Sequence, residues 1–260
     1  MVNKAYPKPN PDESLHLVQI TDTHLFAEPG RCMHNVDTRE SFERVIAAIA
    51  ADKQPDLLVA TGDLAQDETF EAYREFASAL APLDVPALAL CGNHDNPERM
   101  AAAFAGSAIT LDKQTDLGAW RIVQLHTQVP GETYGRLDDA ELALLDAALD
   151  TDRPTLICLH HPPLAVGSPW LDEIGLANTD AFFDIVDRRP AVRGVVAGHV
   201  HQEMRARRGT VDYFTTPSTS VQFQPGVTKP AFDTAVPGYR RLHLHPDGTI
   251  ESRVVRIEHA

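Results

Sequence analysis

Leu15-His-Leu-Val-Gln-Ile-Thr-Asp-Thr-His24 begins as an apolar run and ends on a carboxylate and an imidazole two residues apart. Residues i and i+2 of an extended chain face the same side, so Asp22 and His24 can address one point in space. The same ending recurs four times downstream. Apolar runs at 57–60, 85–90, 156–159 and 192–197 lead into Thr61-Gly62-Asp63, Cys91-Gly92-Asn93-His94-Asp95, His160-His161-Pro162-Pro163 and Gly198-His199-Val200-His201. Ligand sites in α/β folds lie beyond the carboxyl ends of the strands. These residues are therefore expected to converge on one edge of the molecule.

Between the strands the pattern reads as helix. Phe42, Val45, Ile46 and Ile49 recur at helical spacing, with Asp37 and Glu40 placed as a capping-box variant at the start. Further helices are predicted over 67–80, from Pro97 to about 104, and over 138–149, where Leu142, Leu145 and Leu149 form one stripe. Residues 120–125 read as one more strand. From about 203 onward the character changes to hairpins, one turning at Arg208-Gly209 and one at Pro246-Asp-Gly248. This alternation followed by hairpins predicts an α/β fold of two mixed β-sheets packed face to face with flanking helices. Residues 1–14 are expected to be a flexible arm and 15–260 a single domain. The Pro-, Ser- and Thr-rich stretch 217–238 is too long for a plain connection, and is expected to be an active-site loop.

The 260-residue chain is long enough to bury roughly 70–75% of its unfolded surface, so it needs no disulfide or structural metal to fold. Its formal net charge is −14, which disfavours nucleic acid and anionic lipid as partners. A small phosphorylated substrate remains compatible, because bound cations invert the local field. Three cysteines without a Cys-x-x-Cys pair fit a reducing compartment. Cys91 and Cys158 end apolar runs and read as core. No run suits a signal peptide or a membrane span, so a cytoplasmic protein is expected. Oligomeric state leaves no mark in the sequence.

Carboxylate, imidazole and amide oxygen together suit borderline or hard divalent ions, with Mn, Fe, Zn and Co as candidates. Each cluster alone has an ordinary reading as a turn, a cap or a satisfied loop pair. Five of them at strand ends, in this order, point to metal.

The set resembles the calcineurin-like metallophosphoesterase superfamily, whose blocks Asp-x-His, Gly-Asp, Gly-Asn-His-Asp/Glu, His and Gly-His-x-His all appear here in order. Gln19-Ile-Thr-Asp-Thr-His-Leu-Phe-Ala27, Ala60-Thr-Gly-Asp-Leu-Ala-Gln-Asp67, Gly198-His-Val-His-Gln-Glu203 and Thr216-Pro-Ser-Thr-Ser-Val-Gln-Phe223 look like its bacterial class III 3′,5′-cyclic AMP phosphodiesterases. The resemblance implies two divalent ions, Fe or Mn first. Asp22, His24, Asp63 and His201 would hold one. Asp63, Asn93, His160 and His199 would hold the other, with Asp63 bridging. It also implies that His94 acts on the phosphate, with His24, Asp63, Asn93, His94 and His201 facing substrate. The implied reaction is hydrolysis of cyclic AMP to 5′-AMP by in-line attack of a metal-bridging hydroxide. Another small phosphodiester, a phosphomonoester or a catalytically silent metal-binding module are the alternatives. His126 stands where related sequences often carry Asp. Asp95 is expected to accept a hydrogen bond from a ligand, His161 to orient His160 or line the site, and His34 and Phe223 to face substrate.

Overall fold

The computed structural model describes residues 9–258. In chain order the strands are β1 (Leu15–Ile20), β2 (Cys32–Met33), β3 (Val36–Asp37), β4 (Leu57–Thr61), β5 (Ala87–Leu90), β6 (Ile109–Thr110), β7 (Gln114–Leu117), β8 (Trp120–Gln124), β9 (Thr155–Cys158), β10 (Val192–Ala197), β11 (Met204–Arg208), β12 (Val211–Thr215), β13 (Gln222–Phe223), β14 (Phe232–Asp233), β15 (Gly238–Leu244) and β16 (Ile250–Arg256). The α-helices are α1 (Thr38–Ala50), α2 (Phe70–Leu80), α3 (Pro97–Phe104), α4 (Asp139–Ala148), α5 (Pro169–Asp172) and α6 (Thr179–Val186).

Two six-stranded sheets result, ordered β16-β15-β1-β4-β5-β6 and β11-β12-β10-β9-β8-β7. Each is mixed. In the first, β1, β4, β5 and β6 run parallel and the C-terminal hairpin adds on antiparallel. In the second, β8, β9, β10 and β12 run parallel, with β7 and β11 antiparallel at the edges.

Period-two alternation decides which side chain enters which layer. Leu15, Leu17, Leu57, Val59, Leu88 and Leu90 turn inward and meet Trp120, Ile122, Leu156, Val196 and Phe214 of the second sheet. Val18, Ile20, Leu58 and Ala60 turn outward, onto Phe42, Val45 and Ile49 of α1, Tyr73 and Phe76 of α2, and Met100 of α3. On the far side Val123, Ile157 and Val195 pack against Leu145 of α4 and Phe182 of α6. Both faces of each sheet are thus covered, which is why the parallel strands read as nearly unbroken apolar runs. Each fully buried Leu, Ile or Val contributes roughly 1.5–3 kcal/mol.

The helix ends follow local chemistry. Asp37 accepts the N–H of Glu40 at 3.0 Å, half of the expected capping box. Glu40 does not return the bond; its carboxylate pairs with Arg44 at 2.9 Å. The helix predicted from 67 begins at Phe70, because Thr69 caps it by accepting from Ala72 N–H while Asp67 folds back on Thr69. The strand predicted from 85 begins at Ala87.

Residues 1–8 of the expected arm lie outside the described residues. From 9 to 14 the chain makes a turn in which Glu13 N–H donates to the Asn10 carbonyl at 3.0 Å, and Ser14 Oγ bonds His245 Nδ1 at 2.8 Å. The stretch 217–238 is not a plain loop: Ser218 to Gln222 are buried, and β13 pairs with β14 across it. Among the described residues no helix is long and apolar enough to cross a membrane.

Candidate metal centre

The parallel blocks β1-β4-β5 and β9-β10 end at a common edge, and their polar tails meet there. Asp22 N–H donates to the Gly62 carbonyl and His24 N–H to the Asp63 carbonyl, each at 3.0 Å, tying the first two tails together. The second sheet joins through Asp22, whose two carboxylate oxygens each accept the N–H of His199 at 3.1 Å. Close approach leaves no room for side chains at two glycines. A methyl on Gly92 would overlap Asp63 Oδ1, and one on Gly198 would overlap Thr21 Oγ1.

All eight residues read from the sequence gather here. Asp22, His24 and His201 each offer an atom within 4.8 Å of the others, as do His160, His161 and His199. Asp63 lies between these two groups: its Oδ2 is 3.8 Å from His24 Nε2 and 3.4 Å from His160 Nε2. Asn93 Oδ1 is 3.2 Å from His160 Nε2, and the backbone N–H of His94 donates to Asp63 Oδ1 at 2.9 Å.

The imidazoles are set in one orientation. Nδ1 of His24 bonds Gln66 Oε1 at 2.7 Å, that of His160 bonds the Thr61 carbonyl at 2.8 Å, and that of His201 bonds the Val221 carbonyl at 2.7 Å. With a proton on Nδ1, each Nε2 faces the centre, where the neutral imidazole presents a lone pair. Nε2 of His199 is buried with no partner. Backbone strain concentrates at the same point. Asp22, His24, Asp63, His199 and His201 all have positive φ, between 47° and 69°. For non-glycine residues that costs on the order of 1–3 kcal/mol each, and such strain clusters at functional sites.

Burial pushes His24 down to about 4 and His199 to about 3, so both imidazoles are neutral at physiological pH. Burial opposes ionisation of Asp22, but the charge of His201 and its hydrogen bond hold it below the usual carboxylate range. His160 and Asp63 form a buried pair. Burial works against both charges, yet their mutual attraction raises His160 to about 9 and holds Asp63 well below its ordinary value. The donor set, two carboxylates with the neutral imidazoles of His24 and His199 and the orphaned buried nitrogen of the latter, fits divalent cations: the proton that His160 carries sits where positive charge is favoured.

The neighbours differ from expectation in part. Asp95 accepts no ligand side chain. Its carboxylate accepts the backbone N–H groups of Leu64, Ala65 and Gly92, fixing the turns that carry Asp63 and Asn93. Burial first, and Asp63 second, raise it to about 7. His161 bonds Thr127 Oγ1 at 2.7 Å and packs edge-on against His160. His126 is held through its N–H by Glu141 at 2.9 Å. Phe223 stacks on His201 with ring centroids 4.2 Å apart, and His34 stacks on Phe232 at 3.8 Å. Gln66 falls inside the Ala60–Asp67 stretch that carries the resemblance, but no role for it follows from the sequence; it contacts both His24 and His94. The three thiols are free; burial raises those of Cys91 and Cys158, which keeps them protonated and out of nucleophilic chemistry.

Residues 15–203 match the calcineurin-like phosphoesterase family model. The chain belongs to the calcineurin-like phosphoesterase family. It is 42% identical over 254 residues to the 3′,5′-cyclic adenosine monophosphate phosphodiesterase CpdA of Pseudomonas aeruginosa, covering 96% of this chain and 93% of that protein. It is 39% identical to CpdA of Escherichia coli strain K12, over 94% and 90% of the two chains. A 3′,5′-cyclic-nucleotide phosphodiesterase of Nostoc is 36% identical, over 95% and 94%. The fold is shared with a dimetal phosphatase from Danio rerio, at a TM-score of 0.65 and 14% identity over 95% of this chain and all of that one.

Proposed function

We propose that the protein hydrolyses 3′,5′-cyclic nucleotides, cyclic AMP to 5′-AMP, at a centre of two divalent ions. The observation that carries this reading is the Asp63 carboxylate between two histidine groups, 3.8 Å from His24 and 3.4 Å from His160. Asp22, His24, Asp63 and His201 hold one ion, and Asp63, Asn93, His160 and His199 the other. Fe and Mn are the ions the family resemblance favours, and a set of carboxylate, imidazole and amide oxygen also suits Zn and Co. When bound, the two ions supply the Lewis acidity that activates water and balances charge on the phosphoryl oxygens.

The chain itself does the rest. His94 Nδ1 lies 3.4 Å from the Gln66 amide nitrogen, an arrangement that leaves the proton on Nε2. From there His94 donates to the leaving ribose 3′-oxygen as the phosphorus–oxygen bond breaks. Asp95 and Gly92 keep Asp63 and Asn93 at fixed separation while this happens. The reading draws support from relatives named as 3′,5′-cyclic adenosine monophosphate phosphodiesterases, similar over nearly the whole chain. The free thiols support a reducing, cytoplasmic setting. The test is turnover of cyclic AMP, a generic diester, a monoester and DNA, with Mn or Fe added. Preferred turnover of cyclic AMP is expected; preference for the monoester or DNA would refute the assignment.

A further inference from the structure

We infer that a small aromatic-walled pocket beside the metal centre is the nucleobase site, with the exposed ring of Phe232 as the stacking face and His34 backing that ring. The inference rests on the cyclic-nucleotide reading above.

The pocket has a volume of about 150 Å³, room for one planar heterocycle, and is lined by residues including His34, Val36, Val221, Phe232 and Asp233. Two hairpins far apart in sequence frame it, β2-β3 on one side and β13-β14 on the other. One wall of it, Ser220 and Val221, backs directly onto residues of the metal centre. The Val221 carbonyl accepts from His201 Nδ1 at 2.7 Å, and Ser220 Oγ donates to the Asp22 carbonyl at 3.2 Å. A ligand whose phosphate sits at the metal centre beside His201 has this pocket as a neighbouring cavity.

The rings form an unbroken series outward from the centre. Phe223 stacks on His201 at 4.2 Å, Phe232 lies 5.7 Å from Phe223, and His34 stacks on Phe232 at 3.8 Å with only 11° between planes. Such a series is costly to leave in water. Phe232 is nevertheless 39% exposed, one of two large apolar side chains exposed among the described residues. Packing alone does not call for a phenyl ring there. A planar, weakly hydrated heterocycle does, because every base has a π-face that stacks on an aromatic ring. Residues 233–235 form the polar rim of the same pocket, where Asp233 Oδ1 accepts the backbone N–H groups of Thr234 and Ala235 and so holds the rim in shape.

Base stacking on an aromatic ring is worth a change of about tenfold or more in affinity. The experiment compares cyclic AMP with methyl riboside 3′,5′-cyclic phosphate, which keeps the scissile ring and lacks the base. In Phe232→Ala the ratio of kcat/KM for cyclic AMP to that for the base-free substrate should fall about tenfold. Phe232→Tyr should restore it, and His34→Ala should lower it in the same direction. In parallel, calorimetry of 5′-AMP binding should show weaker binding to Phe232→Ala than to the unaltered holoenzyme. An unchanged ratio together with unchanged 5′-AMP affinity overturns the pocket, as does equal loss on both substrates, which marks a merely structural ring. Failure of the unaltered enzyme to turn over cyclic AMP sinks the function reading instead. In that case Phe232-dependent 5′-AMP binding still upholds the pocket, and absence of such binding removes it too.

Discussion

The side-chain nitrogen of Gln66 lies 3.4 Å from Nδ1 of His94, while the oxygen of the same amide lies 2.7 Å from Nδ1 of His24. One neutral side chain thus sets the tautomers of two imidazoles in opposite senses. His24 gives its proton to the amide and frees Nε2 as a donor pair. His94 receives a proton from the amide and keeps its own on Nε2. Replacing Gln66 with Leu removes both constraints without adding charge. Turnover should fall roughly 10–100-fold, the usual cost of losing a partner behind a metal-binding or acid–base imidazole. Glu at this position accepts but cannot donate, so it should rescue the His24 contact alone. Steady-state kinetics with metal analysis checks this; full activity in Gln66→Leu would remove the tautomer argument.

His94 and Asp63 should separate chemistry from metal. His94→Ala keeps both ions per chain and loses about 10²–10⁴-fold in turnover, the range for a general acid. Asp63→Ala should lose both ions, because Oδ2 lies between the two histidine groups. Elemental analysis of the purified variants gives the answer. Two ions retained in Asp63→Ala would end the bridging assignment, and an empty centre in His94→Ala would end the catalytic one.

A pH effect is expected well away from this centre. Asp116 and Arg121 face each other across β7 and β8, with Nε to Oδ1 at 2.7 Å and Nη2 to Oδ2 at 3.0 Å. The hydrogen bond to Arg121 lowers the Asp116 carboxyl below its ordinary value. A folded-state value below the unfolded one gives stability that is present above the unfolded pKa and is lost as pH falls through the folded pKa. The Asp116 side chain is 38% exposed, so solvent screening limits the pair to about 1 kcal/mol at most. Asp116→Asn should therefore be slightly less stable than the parent at pH 7 and should converge with it in acid. A difference in urea midpoint that persists or grows below the lowered pKa would contradict the sign.

The strand-end clusters were legible because two signals coincide at each: an apolar run long enough to be a strand, and a polar residue where it stops. Asp22 and His24 after Leu15–Ile20 are the clearest case. Where periodicity is missing, so is legibility. β2, β3, β13 and β14 are two residues each, too short for alternation to show, and the hairpin pocket they frame was seen only as a loop. The role of Asp95 was misread for another reason. A carboxylate beside a ligand looks the same in sequence whether it holds side chains or backbone, and the buried N–H groups of Leu64, Ala65 and Gly92 need a partner first. Arg240 inside β15 is a similar case. It is 2% exposed, and its hydrogen-bond partners, Thr215 at the end of β12, Thr216 just after it and Ser252 of β16, carry no charge to announce it.

Trp120 offers a test of the layer that holds both halves of the centre in place. It is fully buried between the sheets, against Leu15, Leu17 and Leu244 among others, and its Nε1–H donates to the His245 carbonyl at 2.8 Å. Trp120→Ala removes the ring, opens a cavity and takes one of two donors from that carbonyl, which keeps the N–H of Gly248 at 2.9 Å. The cost should be about 3–5 kcal/mol, a large share of the 5–15 kcal/mol typical of a whole domain. Trp120→Phe keeps most of the apolar volume and should lose less, about 0.5–1.5 kcal/mol for the lost indole hydrogen bond plus a small packing loss, since the carbonyl keeps the Gly248 N–H. Urea unfolding of the metal-free and metal-loaded forms separates the contributions. Bound ions should stabilise parent and variants by equal amounts, since binding to the folded state adds a term set by ion concentration and affinity alone. A smaller metal-induced gain in Trp120→Ala would mean that the inner layer also sets the spacing of Asp22 from His199, and that the two sheets are coupled through more than their shared edge.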